Sequence, residues 1–343
     1  MDEKIFNLIE RLAPEALEIM NNRYQVLKQV FYNQPIGRRQ LTRNIGCTER
    51  VVRSEVDILK SRGVLQTTSA GIYLTAYGEE MLRDFAGLVP WLFNTQLLGE
   101  KLKERFGLSD VIVVPGNTDQ DLFAQEDLSR AGAEYLRKIL YPGCIVAVTG
   151  GTTLAGVAKM IREGVDARDI FVVPARGGLG EEVETQAGNI AAKIARAIGA
   201  QYRLLHIPDS LEASTAEALK KDIHISEVVK TIRSADILIH GIGPAEEMAY
   251  RRGLSPAEVD FLQKNDARGE ALRYYFDKDG KIIFEIPGIG IEIDDFTHIG
   301  TKVAVAGGSS KAAAIEAVLR SGQENVLITD EGAAQKIIYG KDD

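Results

Sequence analysis

Apolar positions change their period along this chain, and the change divides it. Between Glu15 and Tyr32, Leu17, Met20, Tyr24, Leu27, Val30 and Phe31 recur at helical spacing and predict an amphipathic helix. Pro35-Ile36-Gly37 breaks it, because neither proline nor glycine sustains a helix interior. Arg38 to Ile45 reads as a short helix with Leu41 and Ile45 one turn apart, Gly46 as its left-handed stop, and Thr48 as the N-cap of a third helix over Glu49 to Arg62. Val52, Val56 and Leu59 form that helix's inward stripe, leaving Arg50, Arg53, Ser54 and Asp57 off it. Val64 to Thr68 and Ile72 to Thr75, on either side of Ser69-Ala70-Gly71, predict a hairpin. Two helices meeting at a glycine, then a hairpin, is the order of a winged helix-turn-helix, assigned to residues 1–75.

A helical connector is expected over residues 76–106, with Leu82, Phe85, Leu88, Val89, Leu92, Leu97, Leu98 and Leu102 on a broad apolar face. From Asp110 the pattern becomes short apolar runs alternating with helical periods. The predicted strands are Val111–Val114, Ile145–Val148, Ile170–Val173, Arg203–Ile207, Ile237–His240, Lys302–Ala306 and Val326–Ile328. Helices are predicted at Asp127–Leu140 and Asn189–Ile198. Such alternation with glycines after the strands predicts an α/β domain over residues 107–343, a doubly wound and mainly parallel sheet. Ligands of these sheets lie beyond the carboxyl ends of the strands, so the glycine turns near 150, 177, 241 and 307 are expected along one edge.

One of those turns occurs twice. Val146 to Ile161 reads VAVTGGTTLAGVAKMI, and Val303 to Val318 reads VAVAGGSSKAAAIEAV. Each is an apolar strand, two glycines, two hydroxyl residues and a helix. The first amides of a helix have no intrahelical acceptor and its dipole is positive there, so Gly150, Gly151, Thr152 and Thr153 suit an anion. In the second copy Lys311 falls in the first helical turn, where a cation is unfavourable unless an anion joins it. A ligand with two phosphates could bridge the two turns. Neither turn matches the spacing that holds ATP or a dinucleotide, and a scaffold turn that binds nothing is the plainer alternative.

Charge sharpens the first domain. The chain carries a net charge of −8, yet nine bases face three acids between Arg23 and Arg62. A basic face on an acidic protein is the footprint of phosphate-backbone contact, and it includes Arg38, Arg39 and Thr48. Arg50 and Arg53 stand on the second helix of the motif, where base edges are read. An arginine-rich protein-binding module is the alternative. Two distant cysteines, Cys47 and Cys144, fit a reducing compartment and predict neither disulfide nor metal site. The acidic Met1-Asp2-Glu3 start and the lack of a long apolar run predict a cytoplasmic, non-membrane protein.

Other candidates are weaker. Arg176 follows a strand and precedes two glycines, so it could offer a guanidinium fork to a phosphate; Arg251 and Arg252 could close over the same edge. Glu270, Asp294 and Asp295 could accept sugar hydroxyls, or be solvated. His206 and His240 end strands and read as core or edge residues. Acids such as Asp236 form no proton-transfer arrangement with a histidine or lysine, so no catalytic residue is assigned.

The winged helix-turn-helix followed by TGGTT, PARGG, HGIG and AVAGGSSK resembles the SorC-type bacterial transcriptional regulators over nearly the whole chain. Within that family, Pro35 to Arg39, Val173 to Gly180 and Val303 to Lys311 resemble the subgroup that governs glycolytic genes. The resemblance implies a C-terminal domain similar to sugar-phosphate isomerases and deaminases that serves as a sensor, without cofactor. It implies fructose 1,6-bisphosphate as effector, repression relieved by the sugar, and a tetramer built as a dimer of dimers on operator DNA. By matching motif it implies effector contacts at Gly150, Gly151, Thr152, Thr153, Arg176, Gln186, Arg251, Arg252, Glu270 and Lys311. An active isomerase or deaminase carrying a DNA module is the alternative function.

Overall fold

The structure, a computed structural model, describes residues 8–9, 11–45, 47–86, 95–162, 168–178, 182–209 and 211–340. The chain divides into two compact units, Met1–Thr95 and Gln96–Asp343.

In the first unit α1 (Pro14–Asn33), α2 (Arg38–Ile45) and α3 (Glu49–Ser61) precede an antiparallel hairpin of β1 (Leu65–Thr67) and β2 (Ile72–Leu74), then α4 (Ala76–Ala86). Tyr24, Leu27, Val30, Leu41, Val52, Val56, Leu59, Val64 and Ile72 share one core, which Leu82 of α4 joins. The stripe that predicted α3 is buried because a 3.6-residue period keeps it on one side of the helix. Thr48 is the N-cap residue of α3 by position, but its hydroxyl makes no capping bond. Gly46 lies outside the described residues.

The connector does not stand by itself. α4 packs into the first core, whereas α5 (Thr95–Phe106) buries Leu98 and Leu102 in the second unit. Leu97 is exposed, and Leu88, Val89 and Leu92 lie outside the described residues.

The second unit is built on seven parallel strands: β3 (Asp110–Val114), β4 (Ile145–Val148), β5 (Phe171–Pro174), β6 (Gln201–Tyr202), β7 (Ile237–His240), β12 (Thr301–Val305) and β13 (Val326–Asp330). Their order is β3-β13-β12-β7-β4-β5-β6. Both faces are covered, so the strands are apolar on both sides rather than alternating. On one face lie α6 (Leu122–Ile139), α7 (Thr152–Met160) and α8 (Ala187–Ile198). On the other lie α5, α9 (Ala213–Lys220), α10 (Ile223–Arg233), α13 (Ala312–Arg320) and α14 (Glu331–Tyr339). The sheet is therefore doubly wound.

A second, antiparallel sheet was not anticipated from the sequence. After β7 the chain enters β8 (Gly243–Pro244), α11 (Ala245–Arg251) and α12 (Pro256–Lys264). It then adds β9 (Ala267–Ala271), β10 (Tyr274–Asp277) and β11 (Ile282–Glu285), in the order β11-β10-β9-β8. Two boundaries also differ from expectation. α6 begins at Leu122, not Asp127, because the Asp121 carboxylate caps it by accepting from the Phe123 amide; in its first turn Leu122 is exposed and only Ala124 is buried, so no inward stripe marks it. No strand forms at Arg203–Ile207, where one was expected; a two-residue strand, Gln201–Tyr202, lies just before it. Its neighbour β5 ends in Pro174, which has no N–H to continue a ladder.

Candidate functional site

Chain order places a crevice in the sheet. From β4 the chain steps outward to β5 and β6, then returns to lay β7 against the other side of β4. The carboxyl ends of β4 and β7 thus flank the point where the order reverses, where ligands of open α/β sheets sit. The Gly150 and Gly241 turns emerge there and are tied together by a bond from the Gly241 amide to Thr149 Oγ1, 3.3 Å.

The Gly150 turn is shaped by close approach. A Cβ at Gly150 would stand 2.6 Å from the Thr185 carbonyl oxygen, and Gly151, at φ +111°, donates its amide to that same oxygen at 2.8 Å. α7 starts at once, and its first intrahelical bond is from Ala155 to the Gly151 carbonyl. The amides of Thr152, Thr153 and Leu154 therefore donate to no acceptor among the described residues. They line a cleft with Gly150, Gly151, Arg176, Gly241, Gly243, Met248, Arg251, Glu270 and Lys311. Several amides, two hydroxyls, a helix N-terminus and cations on one small volume can hold a phosphate.

A second cleft adjoins the first and shares Arg176 and Arg251 with it; Gln186, His206, Asp209 and Arg252 line its remainder. All ten residues assigned to the effector thus line one cleft or the other. Arg176 is set in place by the Ala175 amide bonding Val148 and by a bridge to Gly290. Glu270 arrives on β9 opposite Gly243.

Arg252 and Glu270 do not behave as freely offered groups. The Arg252 guanidinium is sealed, bonding Glu270 Oε1 at 2.7 Å and Asp209 Oδ2. Arg176 Nη1 meets the same Asp209 oxygen at 3.1 Å and donates to the Leu272 carbonyl at 3.3 Å. Burial pushes the Asp209 carboxyl up to about 6, more than Arg176 pulls it down, with Glu270 adding to the rise. Burial also raises Glu270, against the pull of Arg176 and His240. Asp209 and Leu272 carried no sequence signal, since each is brought in from a distant loop.

The repeated turn differs, and the expected bridge between the two turns is not supported. The amides at Gly308, Ser309 and Ser310 are already taken: Gly308 by Asp330 Oδ2 at 2.8 Å, Ser309 by Asn117 Oδ1 at 3.2 Å, Ser310 by Asp119 Oδ2 at 2.7 Å. Both serine hydroxyls also donate to Asp119. Burial would raise the Asp119 carboxyl, but these bonds and Lys311 hold it below its ordinary range. A Cβ on Gly308 would lie 2.3 Å from Asp119 Oδ1. Of this turn only Lys311 reaches the first cleft.

Other candidates stand outside the first cleft. His240 is fully buried, with Nε2 3.0 Å from Glu324 and Nδ1 3.1 Å from the Gly241 carbonyl. Asp295 binds Arg233. Asp236 accepts from the Ile145 amide at the opposite end of the strands. His206 is an exposed edge residue. The described residues hold no cluster of metal-binding type, and none of their helices is long and apolar enough to cross a membrane.

In the first unit Arg39, Arg50 and Arg53 are exposed, while Arg23 pairs with Glu55 at 2.8 Å and Arg38 with Asp57 at 3.3 Å. Two of the three acids in this stretch are thus neutralised, which leaves the outer side of α3 basic. Arg50 and Arg53 stand in its N-terminal half.

Known proteins resemble both units. A model of a sugar-binding domain matches residues 92–339, and a model of the CggR N-terminal DNA-binding domain matches residues 19–89. The central glycolytic genes regulator of Priestia megaterium is 40% identical over 329 residues, 96% of each chain. Its namesake in Bacillus subtilis is 39% identical over 96% of this chain and 97% of its own. A solved SorC family transcriptional regulator from Enterococcus faecalis superposes with a TM-score of 0.66 at 36% identity, covering 71% of this chain and 99% of that one.

Proposed function

The chain belongs to the SorC family of transcriptional regulators, with a DNA-binding and a sugar-binding domain, and on that premise we propose that it is a cytoplasmic repressor of glycolytic genes. Its effector is a phosphorylated sugar, fructose 1,6-bisphosphate before others, and it works as a tetramer on operator DNA. The observation that carries this reading is the open Gly150 turn, with three amides that have no acceptor among the described residues, beside Lys311, Arg176 and Arg251.

One phosphate would sit on the amides of Thr152, Thr153 and Leu154 with Lys311. The sugar would run past Glu270 toward Gln186. The distal phosphate would meet Arg176 and Arg251, where the two clefts join. This replaces the bridge between repeated turns. Regulation is then linkage: the effector shifts the protein between two arrangements by no more than its difference in affinity for them. Arg50 and Arg53 would read base edges, while Arg38, Arg39 and Thr48 hold the backbone.

The catalytic alternative, an isomerase or deaminase, lacks support in the clefts. Glu270 is locked to Arg252, and His240 is sealed against Glu324. A steady-state assay with aldose and amino-sugar phosphates separates the two, and turnover would favour the enzyme.

The test of regulation is equilibrium binding to a duplex selected from a random pool, at fixed salt, with and without fructose 1,6-bisphosphate. The expected result is weaker or less cooperative binding with the sugar. Unchanged binding would contradict the proposal. Arg50→Ala and Arg53→Ala should each cost about 1–3 kcal/mol of specific binding.

A further inference from the structure

Behind the point where the clefts join lies a buried ring of alternating charge. Arg176 and Arg252 both contact Asp209, and both face Glu270, at 3.8 and 2.7 Å. All four border one cleft or the other, and the most open corner is Arg176. The side chain of Arg176 is 8% exposed, against 1% for Asp209, 0% for Arg252 and 4% for Glu270.

The ring does not satisfy itself. Asp209 Oδ1 and Arg252 Nε find no hydrogen-bond partner among the described residues, and the two guanidinium groups share a single oxygen, Oδ2. A carboxylate engaged through one oxygen forgoes the paired geometry that makes such contacts strong. Burial disfavours its charge as well. A phosphate ester brings up to two charges and three acceptor oxygens, so it is the better partner for an arginine.

We infer that Asp209 is a specificity-determining residue of the sugar-phosphate site: a resident carboxylate that competes with the ligand's distal phosphate for Arg176. The inference rests on the reading of the site given above and adds a charge requirement to it. A ligand with one phosphate, held at the Gly150 turn, never meets this competition. A ligand with two phosphates wins Arg176 only by displacing Asp209. The backbone there is pinned, with the Asp209 amide on the Gly178 carbonyl at 2.9 Å and the Leu211 amide on Pro287 at 3.2 Å. Displacement is therefore a rotation of the Asp209 side chain and not an opening of its loop.

The experiment is calorimetric titration of the full chain and of Asp209→Asn with fructose 1,6-bisphosphate and fructose 6-phosphate. Asparagine keeps the shape and an acceptor oxygen but removes the charge. Bisphosphate affinity should rise about ten-fold while monophosphate affinity changes by less than about two-fold. Unchanged or weakened bisphosphate binding overturns the inference. If the variant fails to fold, a crystal structure of the wild-type bisphosphate complex decides. Asp209 turned off Arg176 supports the inference, and the 3.1 Å contact kept intact refutes it. Wild-type binding of fructose 6-phosphate tests the site independently. If neither sugar binds, the site is misread and this inference falls with it; if both bind and Asp209→Asn gains nothing, Asp209 alone has been misassigned.

Discussion

After β4 the chain reads Gly150-Gly151-Thr152-Thr153; after β12 it reads Gly307-Gly308-Ser309-Ser310. Each turn follows a parallel strand of one sheet, and Gly151 and Gly308 take similar positive φ, +111° and +104°. They part in what covers their amides. The first presents Thr152, Thr153 and Leu154 to a cleft. The second holds Asp119, Asn117 and Asp330, with Asp119 lying 191 positions before Ser310. A turn of this kind is made to hold an anion, and a carboxylate from elsewhere in the fold can be that anion. Among the described residues no carboxylate bonds the amides of the first, and that leaves them open to an outside anion.

The comparison can be broken first at its open member. Gly150→Ala sets a Cβ against the Thr185 carbonyl, a backbone atom that cannot yield without moving the turn at Val183–Thr185. Losing two charge-assisted amide bonds should weaken fructose 1,6-bisphosphate binding about 100-fold by calorimetry. Lys311→Ala removes one cation and should weaken it about ten-fold in the same titration. The closed member should behave oppositely. Asp119→Ala strips an acceptor from Ser310 N and from both serine hydroxyls, and should lower stability by about 1 kcal/mol while leaving sugar affinity within about two-fold. Thermal melting with and without ligand reads both effects.

The smallest expected effect lies under the open turn, at His240. Burial alone would lower its pKa, but the Glu324 carboxylate and the Gly241 carbonyl outweigh that, so it lies above the ordinary 6.5. A group raised on folding adds stability that is fully present below the unfolded pKa and is lost as pH rises through the folded one. The melting temperature should therefore fall as pH rises above the ordinary imidazole range, and His240→Gln should flatten that slope. An unchanged slope would show that the pair does not titrate there.

Much of this architecture was legible because parallel strands are short apolar runs ended by glycine, as at Ile145–Val148 and Ile237–His240. The antiparallel sheet was not, since β8 has two residues and β9 carries Arg268 and Glu270 among small residues. Only the resemblance pointed to Gln186, which lines the second cleft and which no local pattern marked. Asp209 and Asp119 act through contacts 33 and 191 positions away, with Arg176 and Ser310, and a linear reading cannot register such pairings.

The most direct measurement is a crystal structure of the chain with fructose 1,6-bisphosphate. One phosphate should lie within hydrogen-bond distance of the Thr152, Thr153 and Leu154 amides, with Asp119 still on Ser309 and Ser310. A phosphate on the Ser309–Ser310 turn with Asp119 expelled, or a Gly150 turn without one, would contradict it.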